Sequence, residues 1–321
     1  MSVHRGSAIL GVGAYRPARI VGNDEVSGMI DSSDEWIRRR SGIVTRRFAG
    51  PEETVVTMAA EAVRKAAAQA GTDPRDLDVV LLATMSLLRQ SPPGAPQVAE
   101  LIGARPAAGM DLNAACSGFS YALAVADGLV RAGARRVAVI GSERMSDLID
   151  STDRSTAFLF GDGAGAVVVG AADTPGIGPV VWGSDGSRHH LIAHDHAWGA
   201  GDTHPYMRMA GPEVFRWATE AVPDISRRAL AAARTEPHEL AAFIPHQANL
   251  RIVEAAARSL ALPAHTAVAR DVVHSGNTSA ASIPLAMEAL LARGEAGSGG
   301  RALLAGFGAG LTYAAQVVTL P

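Results

Sequence analysis

Cysteine occurs once in the 321 residues, as Cys116 within Gly109-Met-Asp-Leu-Asn-Ala-Ala-Cys-Ser-Gly-Phe119. A short extended run leads into it, and an Ala-rich stretch of helical character, Ser117 to Val130, follows. The sulfur therefore belongs at a strand-to-helix junction, beside unpaired N–H groups and the positive end of a helix dipole. That setting is expected to lower a thiol's pKa below its free value of about 8.5. Ala114, Ala115, Ser117 and Gly118 are small and leave a substrate room to reach the sulfur. A lone cysteine cannot form an internal disulfide, so it is either an inert core thiol or a nucleophile. Three distant stretches carry what a nucleophile needs. Pro245-His246-Gln247-Ala248-Asn249 puts an imidazole just beyond a strand, and Gly276-Asn277-Thr278-Ser279 puts an amide at a helix start. Gly306-Phe307-Gly308-Ala309-Gly310 is a glycine-rich turn whose backbone N–H groups can approach a substrate closely. Singly, each has a plain structural reading as a core histidine, a helix cap or a tight turn. A thiol with His and Asn partners far away in the chain is the format of covalent acyl chemistry.

The elements that must position these residues recur in the same order in two halves. Ser7 to Val12 reads as a strand ended by Gly11-Val-Gly13, and helix starts follow at Asn23-Asp24-Glu25 and Ser32-Ser33-Asp34. Thr54 to Ala70 is an Ala-rich helix stopped by Gly71, and Asp78 to Thr84 is an apolar run of strand length, the pattern of a strand buried on both faces. Leu87 to Pro96, with Pro92, Pro93, Gly94 and Pro96, reads as a loop. Arg136 to Gly141 is another buried strand, and Phe160-Gly-Asp-Gly-Ala-Gly165 leads into a Val-rich one. From about Gly176 the order repeats. Ala241 to Asn249 answers Val79 to Ser86, Val272 to Ser279 answers the cysteine loop, and Arg301 to Gly306 answers Arg136 to Gly141. Cys116 and Asn277 are thereby expected at equivalent places in two α/β halves, 1–175 and 176–321, each with a mostly parallel sheet and sites at strand carboxyl ends.

Composition limits the partners. With 48% hydrophobic residues, 19% charged residues and a net charge of −3, the chain can bury a large core and is no general polyanion binder. No nucleic-acid partner is expected, and any basic site must be local, as at Arg38-Arg39-Arg40 with Arg46-Arg47 close behind. The opening Met1-to-Gly13 run is too short for a signal peptide, and no apolar stretch reaches the roughly 18 residues of a membrane span. The lone thiol fits a reducing compartment, so a soluble cytoplasmic protein is expected. Gly161-x-Gly163-x-Gly165 and Gly11-x-Gly13 fall short of a nucleotide-loop fingerprint and read as turns. His189, His190, His194, Asp195 and His196 read as a variable polar loop, and no metal site is expected.

Asn113-Ala-Ala-Cys-Ser-Gly-Phe119, Phe160-Gly-Asp-Gly-Ala-Gly165, Pro245-His-Gln-Ala-Asn249, Gly276-Asn-Thr-Ser-Ala-Ala-Ser282 and Gly306-Phe-Gly-Ala-Gly310 appear in that order. The chain thereby resembles β-ketoacyl-acyl-carrier-protein synthase III over nearly its whole length. The resemblance implies the thiolase fold, a duplicated five-layer αβαβα sandwich, a homodimer, and the triad Cys116, His246 and Asn277. It implies acyl-CoA as a substrate rather than a bound cofactor, and malonyl-carrier protein as the second substrate. The backbone N–H groups of Cys116 and Ala309 would form the oxyanion hole, and Phe307 would gate the site. Trp36 and Arg154 would sandwich the adenine, Arg40 would meet the CoA phosphates, and Asn249 would line the pantetheine tunnel. Arg216, Arg251 and Arg258 match a positive patch for the acidic carrier protein.

One departure stands out. In the family an aromatic residue followed by Pro crosses the dimer interface and closes the partner's acyl pocket; here Ser91 precedes Pro92. The smaller side chain is expected to open the pocket to a primer larger than acetyl. Relatives on the same fold that pass the acyl group on without decarboxylation are the alternative reading, and a non-catalytic carrier-binding subunit is a third. The intact Asn277 favours condensation, and the retained Cys116 speaks against the third.

Overall fold

The computed structural model describes residues 6–200 and 203–321; the opening Met1–Arg5 of the run read above for a signal peptide lies outside them. The strands are β1 (Gly6–Tyr15), β2 (Arg19–Gly22), β3 (Thr45–Phe48), β4 (Val79–Ala83), β5 (Ala108–Leu112), β6 (Arg136–Arg144) and β7 (Asp162–Ala172), followed by β8 (Val181–Ser184), β9 (Ile192–His194), β10 (Met207–Met209), β11 (Leu240–Pro245), β12 (Ala267–Val268), β13 (Arg301–Gly308) and β14 (Thr312–Thr319). The helices are α1 (Asn23–Ile30), α2 (Asp34–Ser41), α3 (Val55–Gln69), α4 (Ala95–Leu101), α5 (Gly118–Arg131), α6 (Gly211–Ala232), α7 (Leu250–Ser259), α8 (Val272–Ser275) and α9 (Ser282–Ala292).

Two five-stranded sheets, β1-β7-β6-β4-β5 and β12-β11-β13-β14-β8, have matching strand order. In each, two pairs are parallel and two antiparallel, so the sheets are mixed rather than mostly parallel. The parallel pairs need helical crossovers. The antiparallel partners β13 and β14 are joined by a short turn that needs none. Apolar faces stack these parts into five layers. Helices α3 and α4 cover one face of the first sheet through Ala59, Val63, Val80 and Leu82. Helices α5 and α9 fill the space between the sheets with Phe119, Leu123, Ile283 and Met287, and α6 and α7 cover the second sheet with Val222, Ile225 and Ile252 against Phe243 of β11. No helix among the described residues is long and apolar enough to cross a membrane.

Three sequence expectations change. Gly11 and Gly13 lie inside β1 rather than ending it, because α3 crosses there; a Cβ would sit 2.4 Å from the Ala66 carbonyl oxygen at Gly11 and 2.3 Å from that of Ala62 at Gly13. Gly163 and Gly165 lie in β7, where a Cβ on Gly165 would sit 2.7 Å from Pro284 of α9, so these too serve close packing and not turns. The Leu87–Pro96 loop stops at Gly94, and Pro96 is the second residue of α4, in the first turn where its missing N–H costs nothing.

Candidate active site

Cys116 lies in a single 3₁₀ turn, Ala115–Ser117, between β5 and α5. Asn113 Oδ1 accepts the Ala115 N–H at 3.1 Å, holding Ala115 at φ +46°, a left-handed conformation that non-glycine residues rarely adopt. Behind the turn, the Ser117 hydroxyl bonds that of Thr312 in β14 at 2.7 Å. The backbone N–H groups of Cys116 and Ala309 both face the thiol. Gly308 lets β13 pass against the sulfur, since a Cβ there would lie 2.7 Å from Cys116 Cβ and 3.1 Å from Sγ. The expected lowering of the thiol pKa is overturned: burial, with a smaller contribution from the charge of Glu143, pushes it up to about 12, against hydrogen bonds to the sulfur that pull the other way. The helix start was legible in the sequence, and the desolvation was not.

His246 directly follows β11 and is 2% exposed. Burial drops its pKa to about 3, so the imidazole is neutral. Its Nδ1 is 2.7 Å from Ser282 Oγ, and that oxygen accepts the Gln247 N–H at 3.3 Å. The arrangement that uses the Ser282 proton has the hydroxyl donate to Nδ1, which puts the ring proton on Nε2. Asn277 is set the same way: its Oδ1 accepts the Ser279 N–H at 2.9 Å, leaving the NH₂ end free to donate. The Ser279 hydroxyl reaches toward the Cys116 thiol, and the Phe307 ring, one residue before Gly308, meets the His246 ring edge at 5.1 Å. The Cys116 turn thus packs against Gly308 and the Ser279 turn that follows Asn277, while the neighbouring Phe307 (2% exposed) packs on His246.

The duplication has a different register from the one expected. Asn113 and Asn277 both open the turn with an Asx bond, Ala115 and Ser279 both have left-handed φ (+46° and +49°), and a 3₁₀ turn runs into α5 at Gly118 and into α9 at Ser282. The counterpart of Asn277 is therefore Asn113, and the counterpart of Cys116 is Ala280. The motif spacing had aligned the two loops three residues out of step.

Two cavities reach the turns that carry these residues. One, of about 300 Å³, is lined by Arg40, Asn249, Arg251, Phe215 and Asn277. The other, of about 370 Å³, is lined by Met85, Asn113–Ala115, Ala309 and Met207. At the outer end of the first, the Arg154 guanidinium lies 5.0 Å from the centre of the Trp36 ring, closer than a pair holding a purine between them. Arg40 shares a surface recess with Trp36, Arg39 and Arg251. Asn249 caps α7, its Oδ1 accepting the Arg251 N–H at 2.9 Å, and its Nδ2 donates to the Arg40 carbonyl at 3.3 Å. Arg216, on α6, and Arg251 and Arg258, on α7, are exposed, and among the described residues none of the three makes an ion pair. Ser91 is exposed on the loop before α4 and does not line the cavity beside its own Cys116. Arg46, read with the basic run, is instead a core residue: it is 0% exposed and donates to Asn23 Oδ1 and the Phe158 carbonyl, each at 2.9 Å.

Ser279 and Ser282 lay unremarked inside the Gly276–Ser282 motif. Glu143 had one weak signal, a lone acid just beyond the apolar stretch of β6.

This five-layer frame, with a buried cysteine at the junction of its duplicated halves, is the thiolase fold. The chain matches 3-oxoacyl-[acyl-carrier-protein] synthase III over residues 110–186 and the C-terminal part of that family over 230–320. It is 52% identical to β-ketoacyl-[acyl-carrier-protein] synthase III 1 of Streptomyces coelicolor, over 98% of this chain and 96% of that protein. It is 49% identical to the mycobacterial β-ketoacyl-[acyl-carrier-protein] synthase III of Mycobacterium tuberculosis, over 99% and 96%. The crystal structure of the priming β-ketosynthase from the R1128 polyketide biosynthetic pathway superposes with a TM-score of 0.97 at 46% identity, covering 100% of this chain and 98% of that one. The chain belongs to the β-ketoacyl-[acyl-carrier-protein] synthase III family.

Proposed function

We propose that this protein is a condensing acyltransferase that loads an acyl group from acyl-CoA onto Cys116 and extends it by decarboxylative Claisen condensation with malonyl-carrier protein. The observation that supports this reading is a buried thiol faced by two backbone N–H groups and packed against the turn that follows Asn277, with the neutral His246 held against Phe307 next door.

In the first half-reaction Cys116 sulfur attacks the thioester carbonyl. The developing oxyanion takes the N–H groups of Cys116 and Ala309, each worth about 3 kcal/mol to such a transition state. As the C–S bond to CoA breaks, the proton lost by Cys116 ends on the CoA sulfur, so no net base is consumed. In the second, loss of CO₂ from the malonyl thioester leaves an enolate, whose oxygen faces His246 Nε2–H and Asn277 Nδ2–H. A carboxylate in either place would repel that charge. The enolate carbon attacks acyl-Cys116, the C–S bond breaks, and the released thiolate takes up a proton. A resting thiol with a pKa of about 12 favours that last step.

The cavity lined by Arg40, Asn249 and Asn277 suits a CoA or carrier-protein arm, with Trp36 and Arg154 parting to admit the adenine and Phe307 shielding the site from water. Arg216, Arg251 and Arg258 would receive the acidic carrier protein. No bound cofactor is needed. A reduced thiol nucleophile suits the cytoplasm. The open edge strand β5, with exposed Met110 (43%), Leu101 (45%) and Leu88 (45%) near it, supports a homodimer. Ser91 in such a dimer would leave the partner's acyl cavity open, consistent with a primer larger than acetyl.

The test is acyl-CoA-dependent release of labelled CO₂ from malonyl-carrier protein, with acetyl-, isobutyryl-, octanoyl- and aryl-CoA compared side by side. The expected result is CO₂ release that is strongest with a primer other than acetyl-CoA and is lost in Cys116→Ala. Acyl transfer without CO₂ would refute condensation, and a clear preference for acetyl-CoA would refute the open pocket.

A further inference from the structure

Glu143, at the end of β6, is a carboxylate with 0% exposure and no cation among its hydrogen-bond partners. Burying an unpaired charge is costly unless hydrogen bonds replace its water. Burial raises the Glu143 pKa above the usual carboxylate value, and the hydrogen bonds that oppose that rise come from two separate turns. Oε2 accepts the Thr84 hydroxyl at 3.0 Å, the Met85 and Ser86 N–H groups at 3.1 Å each, and the Ser86 hydroxyl at 2.5 Å. Oε1 accepts the Ser279 hydroxyl at 3.0 Å and the Ala280 N–H at 3.4 Å.

The duplication explains why a carboxylate fits there. Gly141 packs on Ala280 and Ala281 as Gly306 packs on Ser117, so Glu143 occupies in the first half the place that Gly308 occupies in the second. Gly308 leaves open the space in which the Cys116 N–H and sulfur receive a substrate. At the mirror position the Ala280 N–H, counterpart of the Cys116 N–H, is taken by the protein's own carboxylate. The second anion cradle of the duplicated frame is therefore internally filled, and filling it fixes the turn that orients Asn277. Ser279 is held at φ +49°, and it is the Ser279 N–H that occupies Asn277 Oδ1 and so turns the amide's NH₂ end toward the site. Without an anchor on the Ser279 hydroxyl, that strained residue can relax and the amide can turn over.

We infer that Glu143 is a positioning residue for the condensation half-reaction: through Ser279 it fixes the donor end of Asn277 toward the enolate. This rests on the condensing reading above. Loading of Cys116 does not use Asn277, so the two half-reactions separate the role from general stability. The Glu143 charge also opposes ionisation of Cys116, so its removal eases loading while it harms condensation.

The test uses Glu143→Gln and Ser86→Ala in the full chain. Loading of Cys116 is followed by intact mass with whichever acyl-CoA loads wild type best, and CO₂ release is followed after pre-loading. In Glu143→Gln we expect loading no slower than wild type and condensation slower by about ten- to a hundredfold, as for a misplaced catalytic group. Ser86→Ala, which removes a hydroxyl that holds Glu143 and leaves the Ser279 hydroxyl beside the thiol in place, should show the same split in milder form and carries the test if Glu143→Gln does not fold. Loading and condensation falling together, or neither falling, would overturn the assignment. Wild type that loads but releases no CO₂ sinks the condensing reading and this inference with it. Wild type that releases CO₂, with variants that match it, sinks this inference alone.

Discussion

Cys116 and His246 rest as a neutral pair, both because burial removes the water that would solvate a charge. With the thiol near 12, its reaction with iodoacetamide should keep rising about tenfold per pH unit well past 8.5, the value at which a free thiol begins to level off. A plateau near pH 8 in mass-spectrometric alkylation rates would contradict this. The imidazole makes a separate prediction about stability. Its pKa is depressed in the folded chain, from 6.5 to about 3, so protons bind the unfolded chain more readily. The stability it contributes is complete above pH 6.5 and is lost as pH falls toward 3. The urea midpoint of wild type should therefore drop more between pH 6.5 and 4 than that of His246→Gln, and parallel curves would refute the assignment.

At the level of elements, glycine choice decides where helices can lie on sheets. Gly13→Ala would push a methyl into the Ala62 carbonyl of α3 and should cost about 1–3 kcal/mol in urea unfolding. Gly28 in α1 has nothing within 4 Å, so Gly28→Ala should be neutral or stabilise by up to about 1 kcal/mol. The same glycines show what the sequence could reveal. Val79 to Ala83 was legible as a strand because both its faces are buried, and Cys116, His246 and Asn277 were legible because their residue types and motifs are distinctive. Gly11, Gly13, Gly163 and Gly165 were misread as turns because a glycine that admits a neighbouring backbone looks like one that bends its own. Arg46 was taken with an exposed basic run because only the tertiary structure supplies Asn23 and the Phe158 carbonyl as its partners. Glu143 was passed over for the same reason, its partners Ser86 and Ser279 lying 57 and 136 residues away.

For the whole molecule, the open β5 edge leads to the prediction that the protein elutes as a dimer in size-exclusion chromatography with light scattering; a monomer at micromolar concentration would refute it. If Ser91 reaches the partner's acyl cavity, Ser91→Phe should shift primer preference toward acetyl-CoA, and an unchanged ranking in the four-primer assay would place the specificity elsewhere. The position of β14 has a further consequence. It is the latest strand in chain order, yet it lies between β13 and β8, and its Thr312 braces the turn that holds the cysteine. During synthesis the second sheet must wait with an open slot until this stretch leaves the ribosome. The turn that holds the nucleophile, made some two hundred residues earlier, gains its Thr312 brace only at that moment.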